Sequence, residues 1–458
     1  MQKTSRDLTQ GSILNHIKVI AIPASVGFLF NTLFNVVDTL YVGRLSTEAL
    51  AGLSLSFPIF FMVIALTSGI SQAMTALTAH DIGKKKFDEY HVLIKNGWVL
   101  TVLLALVLAV LGILLVPSLF RFMGAQEATV RLGVRYTRTI YLGALFFAFN
   151  YLMNGILSAE GNTKPFRNFL ILGFILNIGL NPLFIFGWFG LPRLSTLGVA
   201  LATVIVQAIG TLYLFKQLMK SDYFVWAEFK AAKRSWHFQS EIIKQALPVS
   251  LSNATIALGV FVINYFAVLY GGDQAVAAYG AALRIEQLLF LPTIGLNIAA
   301  LSIIAQNYGA KAYGRMKETI QKTGTIGLII MGSSMVITFL LAPVLMPLFI
   351  DDGTVIDIGV NYLRIATVGF TSYIFLNLSV STLQAIKKPG FSVFIGIYRQ
   401  AFPAVIFYLL GGVLGYGVSG VWWGIVIINW SAAFIIVPYT IYRFKRATTS
   451  DSETAILS

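Results

Sequence analysis

From Trp98 to Leu119 the chain runs for 22 residues without a charged side chain, and Ile326 to Pro347 repeats that pattern at the same length. At 1.5 Å of rise per residue, each stretch makes a helix of roughly 33 Å, enough to cross a hydrocarbon core of about 30 Å. Inside a bilayer the backbone must satisfy its own polar groups, so segments of this kind are confined to helices. Twelve such spans are expected, at about 16–41, 50–78, 90–117, 130–158, 165–187, 195–218, 241–269, 277–305, 318–347, 357–385, 390–414 and 419–443. Composition agrees, with 57% hydrophobic and 11% charged residues, where a soluble domain is about a quarter charged. The expected fold class is an all-α membrane protein of twelve transmembrane helices.

Charge sets the orientation. The net charge of +14 does not form a basic patch of the kind that binds nucleic acid, and no nucleic-acid partner is expected. With the amino terminus inside, 25 of the 33 Lys and Arg residues fall on cytoplasmic segments, among them Lys84, Lys85, Lys86, Lys230, Lys233, Arg234, Lys387, Lys388 and Arg399. Seven fall on the other side and Arg284 lies within a span. The positive-inside bias therefore puts both termini in the cytoplasm of a multi-pass bacterial inner-membrane protein. The first apolar segment outlasts a signal peptide and lacks a small-residue cleavage site, so it is read as a retained span. The chain has no cysteine, which excludes disulfides, thiolate metal sites and cysteine nucleophiles.

The halves repeat. Ala49-Leu50-Ala51-Gly52 matches Ala275-Val276-Ala277-Ala278, Gly83 matches Gly309, Gly133-Val134-Arg135-Tyr136 matches Gly359-Val360-Asn361-Tyr362, and Leu157 matches Leu383, each pair 226 positions apart. Past the fifth span the offset becomes 222, pairing Gly198-Val199 with Gly420-Val421 and Gln207 with Asn429. Because six is even, both copies enter the membrane from the same side and are related by an axis along its normal. The expected organisation is an N-terminal lobe at 1–218, a cytoplasmic interlobe linker at 219–240, a C-terminal lobe at 241–445 and a disordered cytoplasmic tail at 446–458. Two equivalent lobes suit alternating access to a central cleft.

Four motifs stand in a specific order: Asn35-Val36-Val37-Asp38-Thr39, Asp81-Ile82-Gly83-Lys84, Ala159-Glu160-Gly161-Asn162-Thr163-Lys164-Pro165 and Leu176-Asn177-Ile178-Gly179-Leu180-Asn181-Pro182. With them the sequence resembles the multidrug and toxic compound extrusion family, and within it the DinF-like branch, over nearly the whole chain. The resemblance implies a V-shaped transporter of two pseudo-symmetric six-helix lobes. Its implied activity is antiport of bulky cationic or amphiphilic drugs, dyes and toxic cations against proton or sodium. It also implies that the family's first-span acid is Asp38, its fourth-span tyrosine Tyr136 and its fifth-span asparagine Asn177. Asn154 and Thr203 fall where the family has an asparagine on the fourth helix and a threonine on the sixth. The chain departs from DinF-like relatives at Asn181, where a second aspartate often stands, and it lacks the NorM-like acids of spans seven and ten.

Read singly, several of these residues admit two roles. Asp38 is an intramembrane acid, a type that usually faces a cavity and functions there, yet it lies about 30 Å along the helix from Lys18, near the outer interface. Asn177 and Asn181, at i and i+4 on one helix face, either coordinate a cation or satisfy backbone freed by Pro182. Asp38, Asn177, Asn181, Tyr136 and Thr203 are the cation-coupling candidates, and sodium, if it is the coupling ion, is expected at Asp38, Asn177 and Asn181; no other metal and no cofactor is expected.

Asn31, Phe34, Asn150, Asn154, Gln207, Arg284 and Glu286 are the substrate-binding candidates. The amides among them have an alternative use as interhelical hydrogen-bond partners. Arg284 and Glu286, two apart, point to different faces of one helix, one lining the cleft or both joining a structural ion pair. Trp422 and Trp423 read as interfacial anchors.

A flippase for lipid-linked sugars on a related two-lobe plan is the alternative. It should need several basic residues at depth, where the sequence places only Arg284. An intramembrane enzyme has no clustered chemistry here, since His16, His80, His91 and His237 lie in loops or at span ends, Asp351-Asp352 falls in an external loop, and no GxxxxGK loop exists for ATP. The expectation is a monomeric transporter, not an enzyme, whose partners are small molecules and the lipid bilayer.

Overall fold

The structure, a computed structural model, describes residues 5–124 and 126–456, the side chains of 450–456 excepted. Among these residues it is helical throughout, with no strand. The helices are α1 (Ile13–Gly43), α2 (Thr47–Gly83), α3 (Phe87–Phe122), α4 (Glu127–Leu142), α5 (Ala144–Ala159), α6 (Lys164–Phe186), α7 (Thr196–Leu218), α8 (Trp226–Ala231), α9 (Trp236–Gly309), α10 (Tyr313–Leu345), α11 (Gly353–Thr367), α12 (Phe370–Ala385), α13 (Gly390–Ala401), α14 (Pro403–Phe407) and α15 (Gly417–Ile456).

Helix length shows how these elements make spans. The 74 residues of α9 would measure about 110 Å if straight, several bilayers thick, and they break at Gly272, whose φ of 64° and ψ of −165° suit a residue without a Cβ. Two further spans are bent pairs, α4 with α5 at 48° and α11 with α12 at 50°. Nine described helices are long and apolar enough to cross a membrane; with the two bent pairs, and α9 counted as two spans, the total reaches twelve. On α3, Leu103, Leu106, Val107, Val110 and Leu114 are exposed at helical spacing, a stripe suited to contact with acyl chains.

The described chain divides into two compact units, residues up to Asp7 with Ile22–Ser250, and Leu8–Ala21 with residues from Leu251 on. In unit 1 the core gathers Met74 and Leu77 of α2, Leu93 of α3, Leu152 and Ile156 of α5, and Leu214 of α7. In unit 2 it gathers Tyr279, Ile285, Tyr362, Phe370, Phe407 and Trp422. The repeat reappears as matched helix starts: Phe87 and Tyr313, Glu127 and Gly353, Ala144 and Phe370, Lys164 and Gly390 are each 226 apart.

The partition differs from a split at the linker. Leu8, Ile13, Ile17 and Ile20 are fully buried with Leu296, Ala299 and Ile303 in unit 2, because the apolar stripe of the first helical turns has its complement there. Within the interval 219–240, expected as a cytoplasmic interlobe linker, Phe224 and Phe229 are buried in unit 1 and Trp98 packs 5.1 Å from Phe229, ring centre to ring centre. The tail from 446, expected to be disordered, continues α15 as helix to Ile456. Trp422 is not an interfacial anchor, being fully buried against Tyr279 and Tyr362 at 5.8 and 4.8 Å. Trp423 is 45% exposed.

Candidate functional site

Unit 1 assembles its polar centre from three helices. Asp38, late in α1, is 5% exposed. From α6, Asn177 and Asn181 each donate through Nδ2 to Asp38 Oδ1 at 2.8 Å. Asn181 Nδ2 also reaches Asn177 Oδ1 at 3.1 Å. From α7, the Thr203 hydroxyl donates to Asp38 Oδ2 at 3.4 Å. Both amides turn toward the acid and not toward backbone freed by Pro182, because the i, i+4 spacing holds them on one face. Tyr136 of α4 is buried, 7% exposed. One acceptor, Asn181 Oδ1, is buried without a partner. Among the described residues Asp38 therefore sits with neutral donors and no cation paired to it, and Asn181 Oδ1 remains as an oxygen that a small ion could share with the acid.

The cargo candidates scatter more widely. Asn31 and Phe34 are half-buried on α1; the Asn31 carbonyl accepts from Asn35 Nδ2 at 2.9 Å, and Phe34 packs on the core of unit 1. Asn150 and Gln207 bind each other, with Asn150 Nδ2 donating to Gln207 Oε1 at 2.7 Å and Thr211 donating to Asn150 Oδ1 at 3.0 Å; they tie α5 to α7. Asn154 accepts from Ser158 at 3.4 Å. In unit 2, Arg284 is exposed and Glu286 is 6% exposed. The two do not pair; Glu286 is instead hydrogen-bonded by the Tyr362 hydroxyl.

Two charged groups escaped the sequence reading. Arg399, counted with the cytoplasmic segments, lies within α13, where Nε donates to Asn429 Oδ1 at 2.9 Å. Its proximity to Lys387 and Lys388 in sequence hid this, and Asn429, the repeat partner of Gln207, was the available clue. The other is Glu160, second in the Ala159–Pro165 motif, which caps the C-terminus of α5. It is fully buried in unit 1 and accepts from Tyr90 at 2.7 Å, Ser221 at 2.7 Å and Ser5 at 3.2 Å, while its carbonyl accepts from Arg6 N–H at 2.9 Å. Burial pushes its carboxyl from 4.5 up to about 7, against the lowering effect of the three hydroxyls. No group of three or more metal-ligating His, Cys, Asp or Glu side chains occurs among the described residues.

The MatE family model matches the chain twice, over residues 23–183 and 248–409, one match per half. A probable multidrug resistance protein of Bacillus subtilis, YoeA, is 25% identical, covering 94% of this chain and 93% of that protein. A FAD transporter of Shewanella oneidensis is 26% identical over 94% of this chain and 96% of its own length, and the multidrug export protein MepA of Staphylococcus aureus is 23% identical over 95% of both. Among solved structures, a MOP superfamily transporter from Pyrococcus furiosus, described as having a binding pocket of reverse polarity, superposes with a TM-score of 0.89 at 27% identity. The match covers 96% of this chain and 98% of that one.

Proposed function

The chain belongs to the MatE family of multi-pass membrane transporters, and from that premise we propose that it exports bulky cationic or amphiphilic compounds in exchange for inward proton or sodium, with Asp38 as the coupling carboxylate. It is a multidrug-efflux transporter by kinship and not an enzyme. Residence in a bacterial inner membrane with both termini cytoplasmic, and action as a monomer, complete the reading.

The buried acid with three neutral donors carries it. A carboxylate charge within a span is costly, and that cost falls when a proton or a cation joins it. The donors from α6 and α7 hold Asp38 in place without neutralising it, so the charge is left for an ion to meet. Uptake of that ion changes which arrangement of the unit 1 helices is favoured. A free-energy difference of this kind, applied to two states, couples ion entry to cargo release. Asn177, Asn181, Tyr136 and Thr203 then act with Asp38 as the ion site. Asn31 and Phe34 form cargo wall beside it, with Asn150, Asn154 and Gln207 shaping that wall through their interhelical bonds. In unit 2, Glu286 is reserved for a cationic group of the cargo, with Arg284 at its margin.

Everted vesicles under an imposed pH or sodium gradient test the scheme directly. Dye efflux should follow one of the two gradients and vanish in Asp38→Asn with the protein still present in the membrane. A substituted protein that extrudes dye as well as the parent does would falsify the coupling role.

A further inference from the structure

Unit 2 holds a charge that the coupling scheme does not use. Arg399 lies nine residues into α13, roughly 13 Å along the helix and so well inside the span. A guanidinium keeps its proton under all ordinary conditions, so its charge there cannot be shed, and its presence at depth is costly. Among the described residues no carboxylate lies within ion-pair distance of it.

Neutral groups hold it instead. Asn429 Oδ1 accepts from Nε at 2.9 Å, and Asn429 Nδ2 is spent on the Tyr373 hydroxyl at 3.3 Å and the Ile425 carbonyl at 2.9 Å. The guanidinium carbon stands 5.3 Å from the centre of the Tyr373 ring and also hydrogen-bonds the Tyr373 hydroxyl. Phe290 lies 4.7 Å from Tyr373, ring centre to ring centre. Asn429 is buried, whereas Arg399, Tyr373 and Phe290 are only half-buried. The arrangement holds the guanidinium through Nε and the Tyr373 hydroxyl, leaves its charge uncancelled and sets the half-buried rings of Tyr373 and Phe290 beside it. Glu286, the acid whose charge acts on Tyr373, is buried and engaged by Tyr362, so it does not occupy the fork.

We infer that Arg399, Tyr373 and Phe290 form a receptor in unit 2 for an aromatic anion, the carboxylate of a cargo molecule taking the guanidinium fork and its ring lying against Tyr373 and Phe290. A planar fork matches a carboxylate through two parallel hydrogen bonds, and a ring stacked beside it adds contact without requiring further polar groups. The inference rests on the exporter reading and widens its cargo from cations to amphiphiles that carry an acid.

The test uses the full-length protein, purified for binding and reconstituted in liposomes for transport, with carboxyfluorescein as the aromatic anion and ethidium as the cation. Binding is read by fluorescence polarisation and transport by dye movement under an ion gradient. Arg399→Gln should weaken carboxyfluorescein binding and transport by about tenfold, the scale of one charge-assisted contact, and leave ethidium within about twofold. Arg399→Lys, which keeps the charge but not the fork, should fall between. Failure of the wild type to bind carboxyfluorescein overturns the receptor, as does an unchanged affinity in Arg399→Gln. Equal loss for both dyes in Arg399→Lys with an intact melting transition also overturns it and makes Arg399 a structural group. A wild type that binds carboxyfluorescein yet moves neither dye sinks the exporter reading alone.

Discussion

The two lobes share a scaffold and differ in chemistry. Four pairs of helix starts keep one offset, yet the first lobe centres on a lone acid held by amides and a hydroxyl. The second separates a buried acid on Tyr362 from an unpaired guanidinium on Asn429 and Tyr373. Even matched positions diverge: Gln207 binds Asn150 to join two helices, while its partner Asn429 orients Arg399. Backbone geometry tolerates duplication because packing needs only apolar surface at the right period. A polar centre needs particular partners, so after duplication the two copies are free to take different ions.

The difference can be broken most severely at Asp38. Asp38→Asn should lower gradient-driven efflux by at least about a hundredfold, near the top of typical coupling free energies, whereas Asn264→Asp, which places an acid at the matching position of the second lobe, should not restore it. Transport in proteoliposomes gives the comparison, and rescue by the second substitution would show that the lobes are interchangeable.

Glu160 offers the next largest effect, since the second lobe has Ile386 at the equivalent helix cap. Its folded value, about 7, lies above the ordinary 4.5, so the protonated acid is the better fit to the folded state. The stabilisation is complete below pH 4.5 and is lost as pH rises through about 7. Amide exchange protection at Ser5 and Arg6 should therefore fall by on the order of a hundredfold across that window, and Glu160→Gln should flatten the profile. A profile that keeps its slope in the variant assigns the titration elsewhere.

Packing differs by a smaller amount. A Cβ on Gly155 would meet the Ser71 carbonyl at 2.3 Å, but the matching pair in the second lobe is Ser381 and Asn297, where the hydroxyl donates to the carbonyl at 3.5 Å. Gly155→Ser should cost about 1–3 kcal/mol by overpacking, with Ser381→Gly closer to neutral, as read from melting of the purified protein. Smallest is the turn between the first two spans of each lobe. Gly272→Ala should cost about 1–2 kcal/mol through its positive φ. Its counterpart Ser46→Ala should cost about 1 kcal/mol, through loss of the cap hydroxyl that accepts from Ala49 N–H at 3.1 Å. Equal melting temperatures for both variants and the parent would remove the turn as a point of difference.

Hydropathy and spacing made the spans and the duplication legible, and four short motifs carried the resemblance to the family, because each is a property of consecutive residues. The i, i+4 pair Asn177 and Asn181 could likewise be placed on one face without coordinates. That their amides converge on Asp38 could not, since α1 and α6 are separated by more than a hundred residues and the facing of each helix depends on its neighbours. The same reason hid Arg399, whose flanking lysines pointed to the cytoplasm while its actual partners come from α12 and α15. It hid Glu160 too, a loop glutamate by sequence, which tertiary packing encloses with Tyr90, Ser221 and Ser5. Sequence alone determined that this chain lives in a bilayer as two copies of one plan. Only the tertiary structure decided which charges are buried and with whom, because desolvation and hydrogen bonding depend on which side chains meet, and those come from distant parts of the chain.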